Sequence, residues 1–360
     1  ARMILDVVED GYMPPWHAVG GDVPFVGERS RRLGDHEIVT IRKWVEGGRV
    51  EGDPGDLPNP RTFPSGWKLG EPDLVLEMTG AYQLAADGPD VYRIFVIPTG
   101  LRERRWLKAI EFRAGSPRVV HHSLFYLDTT GAARRVDKQD PVEGFAEMPF
   151  GQGVGRPLGG WAPGLVPSYL PDGLAYEIPA GSDIIISTHF HPSGKVESER
   201  STIGLHFGDK PPEKPFLNVQ LPPVFGAFAG IDIPPGEKEV RLTDSFELPV
   251  AVDTYGVSAH AHYLGKSLQM KAELPDGSEM VLLNLPDWDF SWQEEYRFVE
   301  PVRLPAGTRL LSTVVWDNTS ENPLNPTDPP ARVRWGRESF DEMGSVSLMA
   351  AAVDPGEHGL

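Results

Sequence analysis

The stretch Ser258-Ala259-His260-Ala261-His262-Tyr263-Leu264-Gly265 places two histidines two positions apart in a run of small and apolar residues. On a β-strand, residues i and i+2 point to the same face, so this stretch predicts a strand from which His260 and His262 project side by side. Two neutral imidazoles held in this way can bind one metal ion. A single pair of this kind is an ordinary pair of strand histidines about as often as it is a metal site, so the other histidines of the chain must be considered.

Other histidines of this chain also lie close together in sequence. His121 and His122 are adjacent, and His189 and His191 flank one phenylalanine at the end of an apolar run. Adjacent strand residues face opposite ways, so His121 and His122 can reach one ion only through a β-bulge or through different ring nitrogens. Pro192 marks the strand end, which leaves His191 as an exposed residue or an optional ligand. Three such clusters on predicted strands favour metal binding.

The composition excludes several classes of site and partner. The chain has no cysteine, which excludes disulfides, thiolate zinc sites, blue-copper sites, iron–sulfur clusters and cysteine nucleophiles. A metal must therefore be held by histidine, methionine or carboxylate. The formal net charge of -18 argues against a nucleic-acid partner, because the phosphates would be repelled. No apolar run reaches the roughly 18 residues that a membrane-spanning helix needs.

The pattern of apolar residues and turns predicts a mainly β chain in three parts. Residues 1–65 are expected to form a small helical segment, with helices over Ile4–Asp10 and Asp35–Gly47. From there on, short apolar runs alternate with turns rich in the 39 glycines and 36 prolines. We expect two consecutive antiparallel β-sandwich domains, jelly-roll-like in form, over residues 66–212 and 213–360. The predicted strands include Val119–Leu127, Asp183–Phe190, Phe246–Val252 and Thr254–His262.

The ligand types alone leave the identity of the metal open. Imidazole suits zinc, copper, iron or nickel, whereas a thioether selects copper and above all Cu(I). The chain has 8 methionines, and most methionines in proteins fill gaps in the core. Their spacing does not single out one of them as a ligand.

Four short segments carry a resemblance to a known family. They are Val119-Val-His-His-Ser-Leu-Phe125, Ile186-Ser-Thr-His-Phe190, Ser258–Lys266 and Asp341-Glu-Met-Gly344. In this order they resemble the His-His segment, the strand ending in a single histidine, the His-Thr-His-X-Leu-Gly-Lys segment and the Asp-Glu-Met segment of the type II copper, ascorbate-dependent monooxygenases. That family includes dopamine β-monooxygenase and peptidylglycine α-hydroxylating monooxygenase. The matches fall within a region from about Gly70 to Val353.

The resemblance implies two copper ions, one on each sandwich. The implied ligands are His121, His122 and His189, with His191 optional, for the first ion, and His260, His262 and Met343 for the second, catalytic one. It also implies hydroxylation of a C–H bond of a small or medium organic substrate by O2. The electrons would come from ascorbate, a haem module or another redox protein, and the protein would be periplasmic or secreted. Two alternatives stay open, a copper-binding or copper-carrying protein without oxygenase activity and, with less support, a zinc hydrolase.

One departure from the family bears on the substrate. The peptide-amidating branch has an arginine two positions before its His-Thr-His and a tyrosine four positions after its methionine, and both bind the peptide carboxylate. This chain has Ser258 and Ser347 at those positions. We therefore expect a substrate other than a glycine-extended peptide.

The N-terminal segment resembles a different module. Met13-Pro-Pro-Trp16, followed by Leu33–Trp44, is similar to the tail of a class I cytochrome c module found ahead of bacterial relatives. The haem-attaching Cys-X-X-Cys-His is missing from the chain. We expect residues 1–65 to bind neither copper nor covalent haem.

Overall fold

A computed structural model of the protein describes residues 1–60, 62, 66–148, 155–214, 216–354 and 356, apart from the side chains of Ser30 and Leu217. Across these residues the chain is mainly β, with antiparallel sheets and few helices, which confirms the predicted fold class. It divides into two compact units, Pro64–Phe216 and Ala1–Phe63 with Leu217–Leu360. The helices are α1 (Arg2–Glu9), α2 (Glu28–Arg31), α3 (Asp35–Glu46) and α4 (Ala132–Asp137).

The unit Pro64–Phe216 holds the first half of the strands. They are β1 (Leu74–Glu77), β2 (Tyr82–Leu84), β3 (Val91–Pro98), β4 (Arg105–Arg113), β5 (Val120–Asp128), β6 (Arg156–Trp161), β7 (Tyr176–Ile178), β8 (Asp183–Phe190), β9 (Glu197–Glu199) and β10 (Thr202–Gly208). One sheet has the order β1-β10-β4-β7, a second has the order β3-β8-β5-β6, and β2 pairs with β9. Apolar side chains from both four-stranded sheets share one core, so the unit is a sandwich.

Strand β8 lies inside its sheet and is buried on both faces. Ile184 and Ile186 belong to the core of the sandwich, whereas Ile185 packs on the other face with Ala133 of α4 and with Phe145. The continuous apolar run of this strand follows from that burial, because neither face meets water. The strand end that carries His189 is therefore held rigidly from both sides.

The other unit holds the second half of the strands. They are β11 (Phe216–Leu221), β12 (Asp232–Ile233), β13 (Val240–Glu247), β14 (Val252–Ala261), β15 (Gly265–Glu273), β16 (Glu279–Leu285), β17 (Glu295–Leu304), β18 (Arg309–Trp316), β19 (Val333–Arg334) and β20 (Gly344–Ala352). The four-stranded sheets have the orders β11-β20-β14-β17 and β13-β18-β15-β16, and β12 pairs with β19. Strand β14 runs between β20 and β17, and its pairing with β20 continues to Ala261, with Ser345 opposite His260.

The single strand predicted over Phe246–Val252 is wrong. Strand β13 ends at Glu247 and β14 begins at Val252, so the predicted strand falls across the connection between them. Pro249 lies in this connection, and proline has no backbone N–H to contribute to a ladder.

The N-terminal residues pack within the same unit as the second half of the strands. Phe25 forms an isolated antiparallel bridge with Phe298, and the rings of Trp16 and Tyr296 lie 5.4 Å apart. The predicted division at residues 65 and 212 stays a prediction, and residue 65 itself lies outside the described residues. Among the residues that the structure describes, no helix has the length and apolar character to cross a membrane.

Candidate metal centres

Three histidines come together where strands β5 and β8 lie side by side. His122 is directly opposite His189 in the antiparallel ladder, and the register shifts between Val120 and His122. This shift is the β-bulge that an adjacent pair of ligands requires, with His121 as the extra residue. The three ring centroids lie 4.8 to 5.4 Å from one another.

The ring nitrogens of this cluster have spacings that suit a metal ion. Nδ1 of His121 lies 3.1 Å from Nδ1 of His122, and the ligand atoms of all three histidines lie within 4.8 Å of one another. Metal–imidazole bonds of about 2.0–2.1 Å, as in zinc sites, bring tetrahedral ligand nitrogens to roughly 3.3 Å. The adjacent pair already has nearly this spacing, and a bound ion would draw the widest of the three gaps inward.

His189 indicates which ring nitrogen would serve as its ligand atom. Its Nε2 lies 2.7 Å from Oδ2 of Asp90, and its Nδ1 is buried with no hydrogen-bond partner in the described part of the chain. Burial lowers the pKa of His189, although the Asp90 carboxylate favours the protonated ring. The neutral ring therefore donates from Nε2 and keeps its lone pair on Nδ1. A buried lone pair without a donor is costly, and a metal ion would satisfy it.

Asp90 links the cluster to His191. Nδ1 of His191 donates to Oδ1 of Asp90 at 2.7 Å, while the His191 side chain is 71% exposed. Burial raises the pKa of Asp90, but the hydrogen bonds from His191 and His189 outweigh burial and hold that pKa below its usual value. The structure thus gathers His121, His122 and His189, and it leaves His191 outside the group as a second partner of Asp90.

Sequence patterns did not point to Asp90. The residue lies 99 positions before His189, and the pairing of β3 with β8 brings the two together. Tyr92, two positions later, lies opposite His189 in that ladder and stacks on its ring with centroids 4.2 Å apart. A usable signal would have been a carboxylate at the start of a strand predicted to pair with β8.

The second pair of histidines lies at the end of β14. The strand ends at Ala261, so the prediction of a strand through His262 is wrong by one residue, and His262 begins the turn to β15. The two rings nevertheless lie together, with centroids 5.1 Å apart and planes at 89°. His260 is half-buried and His262 is buried. The expected side-by-side projection is found in spite of the earlier strand end.

Hydrogen bonds define the tautomers of both rings. Nδ1 of His260 donates to Oε1 of Gln293 at 2.7 Å, and Nε2 of Gln293 donates to the carbonyl of Phe290 at 3.0 Å, which fixes the orientation of the amide. Nδ1 of His262 donates to the carbonyl of Asp341 at 3.1 Å. Packing around His260 lowers its pKa, although the bond to Gln293 opposes the shift. In the neutral rings, Nε2 carries the lone pair in both histidines.

One buried carboxylate joins the histidine turn to Met343. Oε2 of Glu342 accepts hydrogen bonds from the backbone N–H groups of His262 at 3.0 Å and Met343 at 3.2 Å, and Oε1 accepts from that of Leu264 at 2.7 Å. The indole of Trp316 donates to Oε2 at 2.9 Å. Burial raises the pKa of Glu342 to about 8, although all four N–H groups favour its ionised form. Because one oxygen holds the backbone of both His262 and Met343, the two residues are neighbours.

Aromatic rings surround the second pair. Phe225 lies edge-on to His260 with centroids 5.1 Å apart, and Phe290 lies 5.7 Å from His262. Val224 and Phe225 have φ values of 51° and 53°, a left-handed conformation that is strained for bulky residues. The backbone carbonyl of Phe225 accepts a hydrogen bond from the indole of Trp335 at 3.2 Å, which helps to hold the strained turn against His260.

Comparisons with known proteins do not assign this chain to a family. No family model matches it, and no curated protein matches it. The major capsid protein P2 from bacteriophage PM2 is similar with 9% identity and a TM-score of 0.32, over 79% of this chain and 98% of that one. PNGF-II has 12% identity and a TM-score of 0.31, over 78% of this chain and 65% of that one. The VP2 subviral particle of infectious bursal disease virus has 11% identity and a TM-score of 0.22, over 87% and 77%. Similarity this distant carries no inference about function.

Proposed function

We propose that the protein is a copper-dependent monooxygenase that hydroxylates a C–H bond of a small or medium organic substrate. Each turnover would consume one O2, two electrons from an external reductant and two protons, and it would yield the hydroxylated product and one water. The observation that carries this proposal is the presence of two separate imidazole sets, one of three rings and one of two rings, the latter on a turn whose backbone shares the Glu342 carboxylate with the backbone of Met343.

The first set is suited to hold an ion through Nδ1 atoms. His121 and His122 approach each other through Nδ1, and the Nδ1 of His189 is buried without a hydrogen-bond partner among the described residues. Asp90 bonds to the far side of the His189 ring, an arrangement that orients a metal-bound imidazole and makes it more basic. The same carboxylate fixes which nitrogen His189 offers.

The second set would combine two Nε2 atoms with a thioether. His260 and His262 both donate from Nδ1 to oxygen acceptors, which directs their lone pairs to Nε2. Met343 would supply the soft sulfur that favours Cu(I). Bound copper would supply one-electron chemistry, which is needed because O2 reacts slowly with the closed-shell C–H bonds of a substrate. The buried Glu342 keeps the backbone of the histidine turn and that of Met343 together.

The substrate is proposed to lack an anionic group at the family's peptide-binding positions. Ser258 and Ser347 are directly opposite each other in the ladder of β14 and β20, and Ser345 is opposite His260. Ser258 shares a sheet face with His260 because the two residues are two apart on one strand. Two neutral hydroxyls at this location have no charge to pair with a peptide carboxylate. Peptide amidation is therefore not the proposed reaction.

Metal analysis and oxygen uptake test the proposed function. The purified protein, loaded with copper and freed of excess metal, is expected to hold about two copper ions per chain. With ascorbate it should consume O2 in a 1:1 ratio to hydroxylated product, measured on a panel of aromatic and aliphatic compounds beside a glycine-extended peptide.

The same measurements separate the alternatives. Copper binding without substrate-dependent O2 uptake would favour a copper carrier. Preferred binding of zinc, with O2-independent hydrolysis, would favour a hydrolase. Amidation as the fastest reaction would contradict the substrate part of the proposal alone.

A further inference from the structure

One short loop contacts both the N-terminal segment and the second histidine pair. The loop runs over residues 289–294, immediately before strand β17, and it carries Gln293, the hydrogen-bond partner of the His260 ring. Inside the loop, the backbone N–H of Trp292 donates to the carbonyl of Asp289 at 3.0 Å. The position of Gln293 therefore depends on what holds its two neighbours, Trp292 and Glu294.

Arg31 of the N-terminal segment holds both of those neighbours. Its guanidinium pairs with both carboxylate oxygens of Glu294, with Nη2 to Oε2 at 2.7 Å. It also lies 5.6 Å from the ring centroid of Trp292 and 5.2 Å from that of Trp16, in contact geometry for cation–π attraction. The Trp292 indole donates to Oε2 of Glu294 at 3.1 Å, which closes the group. The Arg31 and Glu294 side chains are only 33% and 19% exposed, so water screens this pair less than an open surface pair.

The segment that carries Arg31 is itself anchored to the sheet. The backbone N–H of Val26 donates to the carbonyl of Arg297 at 2.8 Å, and that of Val299 donates to the carbonyl of Pro24 at 3.0 Å. Phe25 stacks on Phe298 with centroids 5.7 Å apart. Arg31 thus belongs to a segment that is bound along strand β17, so its side chain can fix the position of the loop before that strand.

We propose that Arg31 is a positioning residue for the second metal centre. Arg31 holds the side chains of Glu294 and Trp292, and Gln293 lies between these two residues in the chain. Gln293 is thereby kept where its side-chain amide accepts the hydrogen bond from Nδ1 of His260. The N-terminal segment then serves the second site as a strap, without contributing a ligand. This inference rests on the proposed function for the metal, but the ring orientation it concerns exists in the metal-free chain.

The test compares two arginine variants of the full chain. Arg31→Met keeps the aliphatic part of the side chain and removes the paired hydrogen bonds. Arg303→Met is the matched control, because Arg303 makes a similar two-bond pair with Asp253 across the same β14–β17 ladder. Asp253 lies about 23 Å along the strand from His260, at roughly 3.3 Å per residue.

Two readouts are measured on each protein. In the metal-free chain, ¹⁵N-detected histidine ring spectra report the tautomer of His260, and Arg31→Met should convert its single Nδ1–H signal into a mixture. In the loaded chain, Cu(I) affinity at the second site should fall about three- to tenfold, less than the 10- to 100-fold typical of a direct partner of a ligand. Arg303→Met should leave both readouts as in the parent protein.

Each outcome decides the inference separately from the proposed function. An unchanged His260 ring signal in Arg31→Met overturns the inference, whether or not copper binds. Equal changes in Arg31→Met and Arg303→Met also overturn it, because they would reflect a general loss of stability. If Arg31→Met does not fold, Glu294→Gln, which retains an acceptor for the Trp292 indole, should give the same ring signature. A parent protein that binds no copper at the second site would contradict the proposed function, while the ring spectra would still decide the role of Arg31.

Discussion

The two candidate metal centres contain similar histidine side chains but hold them in different ways. In the first, His122 and His189 come from neighbouring strands, and an anionic side chain, Asp90, bonds directly to the ring of His189. In the second, the two histidines follow one another along a single strand end, and a neutral amide bonds to His260. The carboxylate there, Glu342, bonds to backbone N–H groups instead of to a ring. In the first centre a carboxylate therefore controls the tautomer of a histidine ring. In the second centre a carboxyl group controls the backbone position of the histidine turn.

The largest expected effect follows from replacing the only proposed ligand that is not histidine. Met343→Ile keeps a similar volume but removes the thioether, so Cu(I) binding should weaken at the second centre and the rate of hydroxylation should fall about 100-fold or more. Initial rates of product formation and circular dichroism measure activity and fold. Met349→Ile, on strand β20 just after Met343, is the control and should remain active. Full turnover in Met343→Ile would show that the sulfur is not a ligand.

The next effect distinguishes the two centres by stoichiometry. His189→Ala removes the ring that carries the buried Nδ1, and the copper content should fall from about two ions to about one. Mass spectrometric metal analysis gives this ratio directly. His206→Ala serves as the control, because His206 is also a buried histidine of that unit with one bonded ring nitrogen and one without a partner, but among the described residues it lies outside the group of three. A ratio that stays near two in His189→Ala would point to His191 or to a structural role for His189.

A third variant tests whether the backbone controls the second centre. Above about pH 8, where the Glu342 carboxyl is ionised, Glu342→Gln replaces one acceptor oxygen by an NH2 group that faces N–H donors. One or more of these donors then loses its acceptor, and the free energy of unfolding should fall by about 1–3 kcal/mol. Copper affinity should fall at the second centre alone. Chemical denaturation and titration with Cu(I) measure the two effects.

The control for this variant lies in the other unit. Glu111 is a buried carboxylate that accepts hydrogen bonds from the backbone N–H groups of Lys68 and Leu69. Glu111→Gln should therefore lower stability without weakening copper binding at the second centre. If both variants weaken that binding equally, Glu342 has no specific role in holding the site.

The smallest effect concerns the ring chemistry of the first centre. Asp90→Asn offers one oxygen and one NH2 group to two rings that both donate, so one ring must change its tautomer. Copper affinity at the first centre should fall about tenfold, as for other partners of ligand rings. Competitive titration with a Cu(I) chelator measures it. His191→Ala leaves the pair of Asp90 and His189 intact and should change the affinity less than about threefold, and a larger loss there would make His191 a ligand.

Local patterns predicted the ligand candidates but not their partners. The spacing of His260 and His262 predicted that their rings would lie together, because strand side chains alternate. The adjacency of His121 and His122 required either a bulge or different ring nitrogens, and the structure contains the bulge. Gln293 and Glu342 lie 33 and 80 positions from the histidines that they contact, beyond the reach of any local periodicity. The Asp-Glu-Met segment pointed to Met343, while the glutamate inside it proved to be the residue that holds the turn.

The sequence by itself determined the β architecture and the identity of the histidines that gather. The alternation of apolar residues along strands and the positions of turn residues are local properties of the sequence, so they can be recognised without knowing which strands pair. Only the tertiary structure decided which nitrogen each ring offers. That choice depends on hydrogen-bond acceptors such as Asp90 and Gln293, which strand pairing brings from distant parts of the chain, and an imidazole has no intrinsic preference strong enough to make the choice alone.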